Sequence, residues 1–541
     1  MNKFNKKNQF GNKSKKFDRH SSENSFARKV QTLKDVNASL LGETIEITGI
    51  IESIIQTGGP TVFSINDGTA TLNLKAFDGA GVRAHPELNE GELITAKARV
   101  NEFQGAIEGE ISSVYKLTKE QEIEFKKKIE QIQRERAKIT PPEFLVKSQL
   151  LDKLKSYFTK AAAEIRYAVF QNRPIIIRHH NDTDGYSAGY ALERAILPLV
   201  KEQHTTEKAH WTYLIRAPCQ APFYEIEDSI KDTAKSLSGN AKFSEKMPLV
   251  IIVDNGSSEE DLLAIQQAKV HGIDFIVVDH HYFDKDAISQ EVLVHISPFL
   301  VNEDGRTFSA GMLCAELARF INPNIDIDFI PAMAGLADRI NNPETMKDYL
   351  ALAEKKGYTK ELMQHISLVL DFVSAKLRFM EAREYVEVVF GEKPSQQKKL
   401  VAILAPQINK MRARTLEISE KAVVREKFKD TTIQIVEIEK YFPRGSYPKP
   451  GQIVGMTHDS AQEKHKLENV LTVGLMSDMV ILRATETSGF SVHKFKEFAD
   501  KEVPEAFIEG GGHHLAGALR FVPATKDKIV EALKVFVGKK K

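Results

Sequence analysis

Three short apolar runs in this 541-residue chain each lead into a turn carrying Asp or His, and that repetition narrows the fold more than any other feature. Pro174 to Ile177 lead into the polar turn HHNDTDG, Pro248 to Val253 run into Asp254-Asn255-Gly256, and Asp274 to Val278 run into Asp279-His280-His281. Runs this short and this rich in Val and Ile read as buried strands of a parallel sheet. Helix-like spacing follows two of them, over Tyr186 to Leu197 and Glu259 to Lys269, which is the alternation of βαβ units and predicts an α/β fold. In a doubly wound sheet the ligand crevice lies at the carboxyl ends of the strands, so the acids that end them converge there. Asp182 and Asp184, with one residue between them and His180 beside them, repel one another unless a cation sits between, and Gly185 lets the backbone turn tightly. Alone, such a turn is equally well a helix cap. Agreement among three strand ends favours a metal site. Asp338, at the end of PAMAGLADRI, is a fourth candidate, which by itself reads as a helix-terminal acid.

These motifs resemble the DHH phosphoesterase superfamily, and within it the RecJ-like single-strand exonucleases. The first family motif is similar to HNDTDG (His180 to Gly185), the second to Asp254-Asn255-Gly256, the third is Asp279-His280-His281, and the fourth resembles GLAD, ending at Asp338. A glycine-rich element of the DHH-associated domain resembles Gly510-Gly511-Gly512-His513. The likeness covers roughly residues 165 to 540, and Ala516-Gly517-Ala518 departs from it by placing a glycine one position early.

The resemblance implies a two-metal phosphodiesterase. Asp254 would bridge the ions, Asp182 with His180 would hold the first, and Asp184, His280 and Asp338 the second. Ions about 3.5 to 4 Å apart lower the pKa of a shared water and clamp the attacking and leaving oxygens of an in-line displacement. Carboxylates with imidazole favour Mn²⁺ or Mg²⁺ over thiolate-seeking metals, and Mn²⁺ accepts His best. Asp279 would orient the imidazoles from behind, while His281, Arg483, His513 and the N–H groups of Gly510, Gly511 and Gly512 would meet substrate phosphate.

The rest of the chain is expected to serve that site. Residues 1–34 carry ten Lys or Arg against two acids, so a disordered basic tail is expected over 1–35, with salt-sensitive affinity for phosphate backbones or a merely solubilising role. Residues 36–118 read as five short strands separated by Gly and Asp-Gly turns and resemble an OB-fold β-barrel that binds nucleic acid. Its candidate contacts are Phe63, Phe77 and Phe103 as stacking platforms and Lys75, Lys97 and Arg99 as phosphate contacts, although each Phe reads more readily as a core residue than as a platform. A charged helical linker is expected over 119–147, solvated and acting as a spacer, then the catalytic domain over 148–345 and a helical connector over 346–428. An α/β substrate-binding domain is expected over 429–541, with strands at Thr431 to Glu437, Gln452 to Met456, Glu468 to Met476 and Met479 to Ala484.

Two cysteines, Cys219 and Cys314, give no disulfide framework and fit a reducing cytoplasm. No apolar run is long enough to span a membrane. Together these features predict a hydrolase that shortens single-stranded DNA or RNA from an end, with replisome or repair proteins as further partners. The alternatives are an oligoribonucleotide or cyclic-dinucleotide phosphodiesterase, against which the OB-fold argues, and a replisome scaffold that has lost its metal ligands, against which their retention argues.

Overall fold

The computed structural model describes residues 27–204, 208–219, 221–377, 380 and 382–539, and of residue 513 the backbone only. Most of the expected basic tail therefore lies outside the described residues.

The first sheet is built from strands whose side chains alternate between core and solvent. Strands β1 (Thr44–Gln56), β2 (Thr61–Asn66), β3 (Thr71–Ala76), β4 (Leu93–Phe103) and β5 (Ala106–Lys116) pair in the order β1-β2-β3-β5-β4, and β4 returns to β1 to close a barrel. This is the five-stranded OB-fold. Ile45, Ile47, Ile51, Phe63, Ile65, Leu72, Leu74 and Ile94 fill its core.

Helix α1 (Lys119–Ala137) opens with a capping box between Thr118 and Gln121. It corrects the expectation of a solvated spacer. Arg136 donates to the Gly68 carbonyl of the barrel at 2.8 Å and to Gln203 of the next layer at 3.0 Å, and Gln133 donates to the Phe170 carbonyl at 2.9 Å. The helix is a seam between barrel and catalytic layer, because its polar side chains reach buried carbonyls on both sides.

After α2 (Gln149–Phe170) comes a five-stranded, wholly parallel sheet. Its strands are β6 (Ile175–His179), β7 (Leu214–Pro218), β8 (Leu249–Val253), β9 (Asp274–Val278) and β10 (Val294–Ile296), in the order β10-β9-β8-β6-β7. Edge strand β7 carried too little apolar pattern to be foreseen. The chain leaves β6 for one side and returns to the other at β8, so the topological switch point lies between those two strands. Helix α3 (Thr183–Gln203) packs with Ile175, Ile177, Ile251 and Val253 on one face, and α4 (Glu259–Lys269) with Ile176, Val250 and Ile252 on the other. Their departure to opposite faces opens a crevice over the carboxyl ends.

The barrel sits at the other end of this sheet. Asn172, just before β6, donates to Thr71 at 2.6 Å and to Glu52, Lys246 before β8 pairs with Glu52 at 3.1 Å, and Ser244 bonds Glu90 at 2.6 Å.

Helices α5 (Ala310–Ile321), α6 (Ile330–Ala337), α7 (Pro343–Lys355), α8 (Lys360–Leu377), α9 (Arg383–Phe390) and α10 (Pro394–Ala422) lead to a second, mixed sheet. Its strands β11 (Val424–Phe428), β12 (Thr431–Glu437), β13 (Val470–Leu475), β14 (Met479–Ala484), β15 (Glu509–His513) and β16 (Ala516–Arg520) pair as β11-β12-β13-β14-β16-β15. Two expectations are corrected here. Val424–Phe428 is an exposed edge strand inside the stretch read as purely helical. Gln452 to Met456, read as a strand, lies within helix α11 (Pro450–Glu463), where Pro450 takes the first turn and Ile453, Val454, Thr457 and Ala461 form the buried stripe.

Candidate metal centre

Each acid expected at a strand end is carried to the switch point by the turn that follows its strand. Asp182 caps α3, accepting from the Gly185 amide at 3.0 Å, so the cap also fixes the carboxylate in the crevice. Gly185 is required because a Cβ there would fall 2.3 Å from the His180 carbonyl oxygen. Asp184, one residue into α3, accepts from the Gly311 amide at 3.1 Å. Gly311 is equally constrained, since its Cβ would lie 2.6 Å from Ala334 and 2.8 Å from the Asp184 carboxylate. Asp254 follows β8 with φ +61, a left-handed conformation that Asp tolerates better than most residues. Asp338 ends α6.

The side chains meet. His180 Nδ1 lies 2.9 Å from Asp182 and 3.5 Å from Asp254, while His280 Nε2 lies 3.5 Å from Asp254 and 3.6 Å from Asp338. Two groups of donor atoms, His180-Asp182-Asp254 and Asp254-His280-His281, are each compact enough to surround one cation, and Asp254 belongs to both. The Nδ1 of His280 meets the Gly305 carbonyl at 3.0 Å, which turns Nε2 toward the acids. Asp279 accepts from the His280 amide at 2.8 Å and holds His281 Nδ1 at 2.7 Å. Behind it, Ser257 bonds His295 at 2.9 Å, and His295 bonds Ser289 at 2.9 Å. Sequence reasoning missed this chain, because only the fold brings Ser257 and His295 together.

The electrostatics are those of a site short of positive charge. Burial, then Asp254 and Asp338, push the Asp184 carboxyl well above its ordinary range. Burial likewise raises Asp338 to about 6, against the pull of His280. Against the cost of burial, His180 holds Asp182 below the usual carboxylate range, and His281 does the same for Asp279. Among the described residues, Asp184 Oδ2 and Asp254 Oδ2 are buried with no hydrogen-bond donor. Buried acceptors without donors, converging carboxylates and imidazole fit divalent cations.

The glycine-rich element forms β15 and pairs antiparallel with β16, with Gly510 at φ +111 and Gly512 at φ +138. The early glycine has a steric reason, since a Cβ on Gly517 would lie 2.4 Å from the Gly511 carbonyl oxygen. Arg483, on β14, borders a cavity of about 610 Å³ together with His458, Asp459, Thr485 and Arg339, the residue that follows Asp338 in the chain. Nothing is described of the His513 side chain.

The barrel candidates divide. Phe63 is corrected to a core residue, fully buried and without a face to offer a base. Phe77 and Phe103 are 67% and 53% exposed, Lys75 lies over the Phe103 ring at 4.0 Å while pairing with Glu108, and Lys97 and Arg99 point to solvent. None of them adjoins the acidic cluster.

Comparison with known proteins agrees with this geometry. The DHH family N-terminal domain matches residues 174–353, and the OB-fold nucleic acid binding domain matches residues 45–117. A solved structure described as the DHH domain of a member of the s1p family of ribosomal proteins is 34% identical, covers 78% of this chain and 100% of its own, and superposes with a TM-score of 0.74. The chain belongs to the DHH family. An uncharacterized protein of Methanocaldococcus jannaschii is 35% identical over 530 residues, spanning 92% of this DHH protein and 69% of its own length. RecJ from Thermus thermophilus, solved with Mn²⁺, is 15% identical with a TM-score of 0.51 over 76% of this chain and 59% of its own, a likeness of fold alone. No helix among the described residues is long and apolar enough to cross a membrane.

Proposed function

We propose that this DHH protein is a metal-dependent phosphodiesterase that shortens single-stranded nucleic acid from an end. The observation that carries the reading is the pair of donor groups sharing Asp254 at the switch point. In this reading His180, Asp182 and Asp254 hold one Mn²⁺ or Mg²⁺, and Asp184, Asp254, His280 and Asp338 the other. Bound divalent ions supply Lewis acidity and a water acidic enough to attack phosphorus at neutral pH.

The chain's own groups do the rest. Asp279 engages His281 through Nδ1, so that Nε2 is the nitrogen that meets a phosphoryl oxygen. Arg483 neutralises the phosphate in the cavity it lines with Arg339, and the N–H groups of Gly510 to Gly512 approach it where the glycines leave the backbone bare. The barrel binds a distant part of the same strand, and its partners in the cell include proteins that work on single-stranded nucleic acid. The OB-fold favours a polymer over a dinucleotide, and retention of all the acids favours an enzyme over a scaffold.

The test is digestion of single-stranded DNA and RNA oligonucleotides labelled at one end, with Mn²⁺ and with EDTA. Metal-dependent shortening of one polymer from one end is expected; no cleavage of either would overturn the reading. Arg483→Ala is expected to raise KM about tenfold or more, the effect of losing one charged phosphate contact of roughly 1.5 to 3 kcal/mol. An unchanged KM and kcat would remove Arg483 from the site.

A further inference from the structure

The turn that carries Asp182 and Asp184 is held from behind by residues of other layers. Between the two acids stands Thr183, buried, whose hydroxyl donates to Asp371 Oδ1 at 2.8 Å. Asp371 belongs to α8, and its second oxygen accepts from Gln452 of α11 at 3.1 Å. Just before α11, Lys449 donates through Nζ to the Asn181 carbonyl at 2.5 Å and to Ser374 at 3.0 Å. Its main-chain amide closes the loop by donating to Gln452 at 3.2 Å. The residues on both sides of Asp182 are thus gripped at once, Asn181 by a lysine of the C-terminal layer and Thr183 by an acid of the connector. Neither grip comes from the catalytic sheet itself.

Resting on the two-metal reading above, we propose that Lys449, Gln452 and Asp371 are positioning residues that make cation binding at Asp182 and Asp184 depend on how the C-terminal layer is seated. The physical ground is geometric. A carboxylate ligand is only as well placed as its backbone, and that backbone is tied here to helix α11, which also carries His458 and Asp459 of the cavity beside Arg483. Arg339, next to Asp338, pairs with Asp459 at 2.8 Å, so a second tie joins the same helix to the last acid of the cluster. A strand seated against the C-terminal layer therefore steadies both ends of the ligand set. By reciprocity, cations bound there tighten the hold on the strand by the same factor.

The experiment measures Mn²⁺ binding to the full chain by titration calorimetry, alone and with a phosphorothioate single-stranded oligonucleotide. In the wild type the oligonucleotide is expected to lower the Mn²⁺ Kd severalfold. Lys449→Met is expected to raise the Mn²⁺ Kd about 10-fold or more, the usual loss when a ligand's supporting partner is removed, and to abolish the oligonucleotide's effect. Lys449→Arg restores part of both. Asp371→Ala repeats the test from the other grip, and thermal unfolding of each variant separates a displaced turn from a lost fold. Wild-type Mn²⁺ binding matched by a folded Lys449→Met and a folded Asp371→Ala overturns the proposal while leaving the metal site intact. Absence of Mn²⁺ binding by the wild type overturns the two-metal reading itself, and this inference with it.

Discussion

Turnover of single-stranded oligonucleotide is expected to fall by on the order of 10³-fold or more in Asp254→Asn, the loss that removing several kcal/mol of transition-state stabilisation represents. Asp254 is the side chain common to both donor groups, lying 3.5 Å from His180 and 3.5 Å from His280, so replacing it disables both halves of the cluster together. Asparagine is the informative substitution. It tolerates the φ of +61 as aspartate does, and so keeps the turn after β8 while removing only the charge. Oligonucleotide binding, read by fluorescence anisotropy, should stay within a few fold, because Arg483 and the glycine strand lie on another layer. Steady-state rates near those of the wild type would end the shared-ligand assignment.

The largest expected loss of stability follows from Glu193→Ala. Glu193, on α3, lies 2.6 Å from Arg216 and 3.1 Å from Arg383, and the side chains of all three are at most 3% exposed. Arg383 opens α9 and also donates to the Leu214 carbonyl at 2.5 Å, so the triad joins the connector to edge strand β7 and to the helix behind the metal turn. Removing Glu193 takes away the buried carboxylate that the two guanidinium groups share. Breaking a buried pair in this way costs about 3 to 5 kcal/mol, a large part of an ordinary domain's net stability. Urea unfolding should show the midpoint shifted down with little change in slope. A shift below about 1 kcal/mol would mean that water reaches the two arginines.

How much of this was legible in the sequence depended on the range of the signal. Asp182, Asp184, Asp254, His280 and Asp338 could be found because each follows its own strand or helix within five residues, and the fold then needs only parallel order to gather them. Phe63 shows what parity can add. Ser64 faces out of its strand, so Phe63 and Ile65 must face in, yet the apolar Val62 beside them hides the alternation. Gln452 to Met456 was misread because a short apolar run has no period of its own, and the helix is decided by Pro450 and the cap at Lys449. Strand β11 was hidden for the opposite reason, since an exposed edge of the sequence VREKF has no buried face to imprint a pattern. Lys449 and Asp371 were beyond reach, because a lysine bonding a carbonyl 268 residues away leaves no local mark.

The barrel's attachment to the amino ends of the parallel strands divides the molecule into two poles. Five-residue strands, at roughly 3.3 Å per residue, put about 17 Å of sheet between them before the barrel's own surface is reached. For the activity proposed, a strand held at both poles loses its distant anchor at one fixed remaining length, whatever its sequence. Digestion should then pass from a regime in which the enzyme stays on its substrate to one in which every cut is a new encounter. The length at which that change occurs is a ruler built into the depth of the sheet.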